Sequence, residues 1–421
     1  MNQAESRARL EWGAPSVPLM AAALLAPGIA VLQSKAMAPL ALFTLAAMLL
    51  LGWRARGRFP MPGGAACWAA LLLGSWGVTS SLWAIEPGRA VSNGLSVAGL
   101  TLLAAAAARL VGSELPDTRR RLGQAVLWGL LIGLVMAVTD HLSGSQIRAA
   151  VRGLDRIPPQ LTFGLKPAAS VIALMLPLLA GIGWPGRGRA AAMLLGLVLL
   201  MIVPGDTARI AAVAGLSTAA LVALEQRLRP AALPRLPIWL GGGMAATVLL
   251  VPLLLGLAMG RLAPLVDRLP PSAVHRLAIW DFGLERAAQH PWLGWGMEAS
   301  RALPGGDEQP EPERLARLGV RSEAMMSWFQ APHLELMPLH PHNGPLQIRI
   351  ELGWIGVALA AVMWFLLGKA AAGVASPAAA SGALASAFVS FLSSFGAWQS
   401  WWLCAAALAL CLAAGLRPAS R

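Results

Sequence analysis

The chain has 421 residues, of which 57% are hydrophobic and 13% are charged, and its mean hydropathy is +0.63. Roughly a quarter of the residues in ordinary soluble domains are charged, so this composition excludes a soluble protein and indicates an integral membrane protein. The net charge of +13 does not indicate nucleic-acid binding, because the arginines lie at the ends of apolar runs and form no single basic face. We expect them to set membrane orientation and to contact anionic membrane lipids.

Apolar runs of about the length that crosses a bilayer, ~20 residues, recur along the whole chain. They predict an all-α, polytopic membrane protein with about twelve transmembrane helices. Arg7 and Arg9 precede the first run as in a signal peptide, but no small-residue cleavage site follows, so we expect a retained helix. The predicted spans cover approximately residues 14–33, 36–53, 65–84, 90–111, 123–141, 165–184, 190–204, 210–225, 237–259, 345–368, 378–396 and 399–416.

Basic residues fall almost entirely on alternate loops, which predicts the orientation of the chain. If the amino terminus is cytoplasmic, nearly every short basic loop is cytoplasmic, as the positive-inside rule requires. Both termini are then cytoplasmic, and the long polar segment 272–356 lies outside, which is the periplasm if the source is a Gram-negative bacterium. The chain divides into a membrane domain at 1–259, a periplasmic loop with short helices at 260–344, and a second membrane part at 345–421. The basic residues assigned to the cytoplasmic side are Arg54, Arg56, Arg58, Arg119, Arg120, Arg121, Arg187, Arg189, Arg227, Arg229, Arg235, Lys369 and Arg417.

One outer loop breaks the positive-inside rule. Between the fifth and sixth spans, Arg148, Arg152, Arg156 and Lys166 stand against only Asp155. On a helix, the spacing of four would place the three guanidiniums on one face. Two interpretations stay open: a solvated amphipathic helix, or a set of cations that faces an anionic ligand.

A further outer cation, Arg209, opens the eighth span at about the depth of the membrane interface. Ionisable groups at this depth are costly and indicate function. The alternative is an arginine that reaches towards the interface with Asp206 as its partner.

The main polar interruption of the sequence runs from Ser272 to Gly356. Ser272 is a plausible helix N-cap, and the helix that follows places Arg276 one turn before Trp280. His290 and the proline after it end this helix. The acidic, proline-rich stretch 304–321 reads as a mobile loop without chemistry.

The last polar residues of this segment stand directly before the tenth span, at His340-Pro-His342-Asn343. Two histidines spaced by two are compatible with zinc, but no third ligand follows at metal spacing. A histidine at this position either caps the tenth helix or acts as a general base at the membrane surface.

The polar segment carries three motifs: Arg276-x-x-x-Trp280, His290-Pro-Trp-Leu-Gly-Trp-Gly296 and His342-Asn343-x-x-Leu346-Gln347-x-x-x-Glu351-x-Gly353-x-x-Gly356. In this order they resemble the O-antigen ligase and polymerase superfamily of bacterial envelope glycosyltransferases. The resemblance implies transfer of a preassembled glycan from undecaprenyl diphosphate to an acceptor sugar at the periplasmic face, with lipid A-core as the first candidate acceptor. With a base at His342 and arginines to stabilise the leaving charge, we expect an inverting reaction without a metal or another cofactor.

The chemistry of such a transfer asks for cations and a base. A diphosphate leaving group needs positive charge, and the guanidinium fork matches phosphate oxygens, so Arg276 and Arg209 are catalytic candidates. His342 is the candidate base, and His340 is an alternative that the sequence does not separate from it. The residues predicted to bind substrate or to shape the site are Arg148, Arg152, Arg156, Lys166, His340, Asn343, Trp280 and Glu351.

Other functions remain open at this level. A polymerase that extends the glycan, or an enzyme that transfers it to protein, would use the same chemistry on another acceptor. A transporter without catalysis would place paired charges at mid-span or show repeat symmetry, whereas the charges of this chain cluster at the outer interface.

Overall fold

The structure is a computed structural model that describes residues 13–114, 116–230, 232–331 and 334–417. Arg7 and Arg9, which precede the first predicted span, lie outside the described residues. Throughout the described ranges the chain is helical and has no strand, which confirms the all-α class. The described α-helices are α1 (Val17–Gln33), α2 (Met37–Arg56), α3 (Ala65–Thr79), α4 (Pro87–Gly112), α5 (Pro116–Leu142), α6 (Gln146–Val151), α7 (Leu165–Met175), α8 (Gly186–Ile202), α9 (Asp206–Leu228), α10 (Leu236–Leu262), α11 (Pro271–Gln289), α12 (Pro312–Arg317), α13 (Glu323–Trp328), α14 (Gly344–Ala372), α15 (Pro377–Ser393) and α16 (Ser400–Gly415).

Eight of the described helical segments are long and apolar enough to cross a membrane, and the protein is a multi-pass membrane protein. The first, Val17–Arg56, spans 40 residues and contains both α1 and α2, which the 3-10 turn Ser34–Ala36 separates. The helices α15 and α16 are apolar but shorter. The number of twelve spans therefore stays a prediction. The other seven segments are Ala65–Leu82, Pro87–Gly112, Asp117–Leu142, Pro159–Gly181, Asp206–Leu228, Leu236–Arg268 and Gly344–Ala372.

The polar segment between α10 and α14 leaves the bundle between two neighbouring helices. These helices are antiparallel, because Gly241 near the start of α10 packs against Gly368 near the end of α14. Both glycines have no side chain, which allows the two backbones to approach closely. The residues that connect α10 to α14 therefore begin and end at the same end of the bundle, which we name the loop end.

Hydrogen bonds gather other connections at the loop end. The guanidinium of Arg152, in the connection after α5, donates to the Leu32 carbonyl at the end of α1, over 3.0 Å. The amide of Ile85, in the connection after α3, donates to the Trp295 carbonyl of the polar segment, over 3.3 Å. Connections that the alternating topology puts on one side of a membrane thus contact one another.

The helices α9 and α15 are also antiparallel neighbours. The Ser386 hydroxyl of α15 donates to the Ala211 carbonyl of α9, over 2.8 Å, and Gly215 of α9 lies against Gly382. This pairing puts the start of α9, with Arg209, at the same end as the carboxyl end of α15. Arg209 therefore lies at the loop end.

The acidic stretch 304–321 is structured, so the prediction of a mobile loop is wrong. Residues Pro312–Arg317 of this stretch form α12, whose Arg314 makes ion pairs with Asp281 (2.5 Å) and Glu285 (2.7 Å) of α11. Leu315 is buried against α11 in a small core of its own. Prolines and acidic residues suggest disorder only while their partners are unknown, and these partners lie about 30 residues earlier in the chain.

Candidate functional site

The site is built from α11, the residues before α14 and the connection between α15 and α16. Helix α11 begins at Pro271 with Pro270 as its N-cap, so Ser272 lies inside the helix and is not the predicted cap. Trp280 donates its indole N–H to the Pro341 carbonyl, over 2.8 Å. This bond fixes the segment 340–342 on the helix face that also carries Arg276, one turn earlier. The four-residue spacing between Arg276 and Trp280 thus places the arginine beside the segment that Trp280 holds.

Arg276 is half-buried, and among the described residues it has no hydrogen bond or ion pair. Burial lowers the pKa of its guanidinium from the usual value, although arginine stays charged in proteins. A partly buried cation without a carboxylate partner is costly unless a ligand supplies the anion. Its positive charge lowers the pKa of both His340 and His342.

His342 is held as a neutral imidazole with a defined tautomer. Its Nδ1 lies 2.7 Å from the Ser394 carbonyl oxygen; since a carbonyl only accepts, Nδ1 carries the proton and Nε2 carries the lone pair. Burial lowers the pKa of His342, and the charges of Arg276 and His275 lower it further, against the opposing effect of the Ser394 bond. His342 is thus set up to accept a proton at Nε2.

The backbone of His342 has φ of 50°, in the left-handed region that few residues with a side chain adopt. This conformation turns the chain at the boundary between the polar segment and α14. Strain of this kind persists where the surrounding structure holds it, and it occurs often at functional sites.

His340 differs from its neighbour in accessibility. The two rings lie 4.4 Å apart, but His340 is only 5% exposed and neither of its ring nitrogens has a hydrogen-bond partner among the described residues. Burial lowers its pKa to about 3, together with the charges of His342, Arg301 and Arg276, against the opposing effect of the Ser394 carbonyl. The structure therefore gives a substrate better access to His342 than to His340.

Arg301 joins this cluster, and sequence reasoning gave it no role. Its Nε donates to Glu298 Oε1 over 2.5 Å, and its charge acts on His340. No motif marks Arg301, because its proximity to His340 arises from the turn after the second motif. Only the tertiary structure could have identified it.

Asn343 has a structural function. Its side-chain oxygen accepts from the Leu346 amide over 3.1 Å and caps α14. Asn343 thus begins the helix directly after His342, and its contact with substrate stays a prediction.

Glu351 is fully buried within α14, and its carboxylate is surrounded by donors. It accepts from Trp398 Nε1 (2.6 Å), Ser300 Oγ (2.6 Å), the Glu298 amide (2.7 Å) and Gln347 Nε2 (3.0 Å). A carboxylate has about four acceptor positions, and these donors occupy them. Glu351 is not in reach of a substrate in this structure.

The second motif docks onto a break in α14. At Gly353 the helix is interrupted, with φ of 64° and ψ of −165°. The Trp354 amide there donates to the Pro291 carbonyl over 3.1 Å, and the Gly296 amide donates to the Glu351 carbonyl over 2.8 Å. A Cβ at Gly353 would collide with the Trp292 carbonyl, so glycine is required. The second and third motifs therefore pack against each other and are joined by backbone hydrogen bonds.

The other catalytic candidate, Arg209, is paired locally. Its NH1 lies 3.1 Å from Asp206 Oδ1, and its NH2 donates to the Val203 carbonyl over 3.0 Å. Asp206 is 91% exposed, so the pair is open to solvent. Lys166 lies beside Gly205, directly before α9, and its ammonium is 4.9 Å from the Phe163 ring centroid. Both cations are at the loop end.

The prediction that Arg148, Arg152 and Arg156 share one helical face is wrong. Helix α6 ends at Val151, and Arg152 is its C-cap. Arg148 is fully buried, with its Nε 2.7 Å from Asp140 Oδ2 and its other guanidinium nitrogens donating within the protein. Arg148 therefore stabilises the fold and is inaccessible to a ligand. Asp140 was missed as its partner because it stands at the end of the preceding span.

Part of the chain is similar to proteins of a known family. Residues 191–361, from within α8 to a point beyond the break in α14, match a family model described as O-antigen ligase. A stretch of 116 residues is 31% identical to a protein of Rickettsia prowazekii whose name describes it as a candidate polysaccharide ligase; the stretch covers 27% of this chain and 25% of that protein. No solved structure matches. The matched range contains Arg209, Arg276 and His342, and the predicted resemblance to the O-antigen ligase family is confirmed over residues 191–361.

Proposed function

We propose that this protein transfers a glycan from a lipid diphosphate, undecaprenyl diphosphate, to a saccharide acceptor at the outer face of the bacterial inner membrane. The observation that carries this function is the pairing of a neutral His342, with a free Nε2, and a half-buried Arg276 that has no anionic partner among the described residues. A proton acceptor beside an unpaired cation suits a reaction in which a hydroxyl loses a proton while an anion departs.

The proposed reaction is a single displacement at the anomeric carbon. The acceptor hydroxyl gives its proton to His342 Nε2, and its oxygen forms a bond to the anomeric carbon. The bond from that carbon to the diphosphate oxygen breaks on the opposite face, the electron pair leaves with the diphosphate, and the configuration inverts. Arg276 stabilises the leaving charge through the planar fork of its guanidinium.

Arg209 has a supporting role in this proposal. Its guanidinium is partly exposed at the loop end and shares its charge with an exposed Asp206. An exposed ion pair of this kind contributes little stability, about 0–1 kcal/mol, so a diphosphate can replace the carboxylate at little cost. Lys166 lies near enough to the start of α9 to add a second positive charge.

The proposed acceptor is the saccharide core of lipid A. This choice draws on the family description of residues 191–361 and on the name of the Rickettsia relative. A deletion strain should lose long glycan chains from lipid A and accumulate lipid-linked polymer. Loss of glycan from protein, or shortened polymer that is still attached to lipid A, would instead indicate protein glycosylation or polymerisation.

The direct test uses purified protein, a lipid-linked glycan donor and a lipid A-core acceptor. We expect a product with inverted anomeric configuration, and we expect turnover to persist in EDTA because arginines supply the positive charge. Loss of turnover in EDTA, or retention of configuration, would contradict the proposed reaction.

The orientation is part of the same proposal. The loop end should be periplasmic, and both termini should be cytoplasmic, because the arginine-rich connections lie at the other end. A reporter inserted at Gly306 and one fused after Arg421 should report opposite sides of the membrane. If both report the same side, the orientation is wrong.

A further inference from the structure

The tautomer of His342 depends on a single carbonyl that lies far away in sequence. Ser394 follows α15 and begins the segment 394–398 of the chain that leads to α16, which we call the 394–398 connection. The Ser394 carbonyl oxygen accepts the Nδ1 proton of His342. If this connection moved, Nδ1 would lose its acceptor, and the proton would be free to reside on Nε2, the nitrogen that has to accept a proton. The position of this connection therefore decides whether His342 can act as a base.

Two side chains of α14 hold the connection in place. The Gln347 oxygen accepts from the Ala397 amide over 2.8 Å, and Glu351 Oε2 accepts from Trp398 Nε1 over 2.6 Å. Gln347 donates in turn to Glu351 Oε1 over 3.0 Å. The two side chains are four residues apart on one face of α14. This face therefore binds the connection at two adjacent residues, Ala397 and Trp398.

The same carboxylate holds a second segment of the site. Glu351 accepts from the Glu298 amide and from the Ser300 hydroxyl. These residues form the turn that leads into Arg301, whose charge acts on His340. Glu298 has φ of 64°, a conformation that the hydrogen bond of its amide to Glu351 helps to maintain. One buried carboxylate thus links both segments that flank the two histidines.

We infer that Glu351 is a positioning residue that acts through Gln347 and Trp398: its carboxylate fixes the 394–398 connection so that Ser394 keeps the proton on His342 Nδ1. This inference rests on the proposed function for the role of His342 as a base. Glu351 itself is buried and touches no substrate. A glutamine at position 351 would keep one acceptor oxygen but would put an amide N–H₂ where one carboxylate oxygen now accepts, which leaves buried donors without partners.

The test uses a conservative variant and a matched control. Trp398→Phe removes the indole N–H that binds Glu351 and keeps most of the buried ring. Trp76→Phe removes a similar indole N–H, which donates to the Leu352 carbonyl of the same helix over 3.2 Å but does not bind the 394–398 connection. Both variants lose one tryptophan hydrogen bond to α14. Only Trp398→Phe removes a bond that holds the 394–398 connection. Glu351→Gln provides the larger perturbation.

Two measurements separate this inference from the proposed function. The first is the tautomer of His342, read from its ring nitrogens by ¹⁵N NMR of the intact protein in detergent, which needs no substrate. The second is steady-state kinetics with lipid-linked donor. We expect Trp398→Phe and Glu351→Gln to shift His342 away from the Nδ1–H form and to lower kcat about tenfold or more, a part of the ~10²–10⁴-fold that a general base contributes. The KM for the donor should be unchanged.

The control should keep the wild-type tautomer and a kcat within about twofold of wild type, since Trp76 does not hold the base. The inference is overturned if Trp398→Phe leaves the tautomer unchanged, or if Trp76→Phe shifts it equally. If wild-type protein transfers no glycan, the proposed function fails, whereas the tautomer measurement still decides whether Glu351 positions His342. A lower melting temperature for Glu351→Gln does not affect the comparison between the two tryptophan variants.

Discussion

Two cation-bearing regions lie at the loop end, and they differ in where their counter-charges are. In the connection after α5, Arg148 is completely buried, but Asp140 and neighbouring oxygens satisfy its guanidinium. In the segment before α14, Arg276 is half-buried and has no such partner among the described residues. A buried cation with an internal anion is neutralised within the fold, whereas one without an anion is set up for a ligand. Arginines that look equivalent in sequence therefore have different functions.

The largest expected effect is on the base of the second region. His342→Ala should reduce kcat by ~10²–10⁴-fold, the usual contribution of a general base, while binding of the lipid-linked donor persists. His340→Ala is the matched variant, because the ring is adjacent but enclosed. It should retain clearly more activity. An inactive His340→Ala beside an active His342→Ala would reverse the assignment.

The next largest effect is expected at Arg276, and it should differ from the effect at Arg148. Arg276→Ala should lower kcat about 10- to 100-fold, since a charge-assisted hydrogen bond contributes ~1.5–3 kcal/mol, and its melting temperature should stay near wild type. Arg276→Lys should recover little, because an ammonium lacks the planar fork. If Arg276→Ala has wild-type kinetics within about twofold, Arg276 does not face the diphosphate.

Arg148→Met should lower the stability of the protein and leave kcat nearly unchanged. It leaves the Asp140 carboxylate buried without its cation, which costs about 3–5 kcal/mol of folding free energy. We expect a lower melting temperature and less inserted protein, with near-normal kcat for the fraction that folds. A stable variant with a raised KM for the donor would restore Arg148 to the substrate site.

The pH dependence sharpens the assignment of the second region. The pKa of His342 is lowered by burial and by Arg276, so the neutral base persists below the usual pKa of 6.5. The acid limb of kcat/KM should therefore have its midpoint below pH 6.5. In Arg276→Lys the positive neighbour remains and the midpoint should move little, whereas in Arg276→Ala it should move up towards 6.5. A wild-type midpoint above 6.5 would contradict this electrostatic environment.

The smallest effects are expected at Arg152 and Arg156. Arg156 is exposed, and the Arg152 guanidinium donates to the Leu32 carbonyl. An exposed charge contributes at most ~1 kcal/mol, so each single alanine variant should raise the donor KM by less than about fivefold, with kcat unchanged. A large loss of kcat would place this connection in the site.

The sequence by itself determined the membrane class, the helical fold and the segment that carries the chemistry. Long apolar runs can cross a bilayer only as structures whose backbone groups are all satisfied, and here that means helices. It also determined that Arg276 and Trp280 share a helix face and that His342 stands at a helix start, since these are local relations. The resemblance of the three motifs to O-antigen ligases came from order and spacing alone.

The tertiary structure decided which polar residues have partners, because the partners come from other helices. The sequence could not show that Asp140 neutralises Arg148, that α11 holds the acidic stretch through Arg314, or that Glu351 is buried among donors. It also left His340 and His342 equivalent, and the packing separates them: His340 is buried, whereas His342 is only partly buried and donates to the Ser394 carbonyl, about 50 residues later. Spacing along one helix is fixed by its geometry, but contacts between helices depend on how the whole bundle packs.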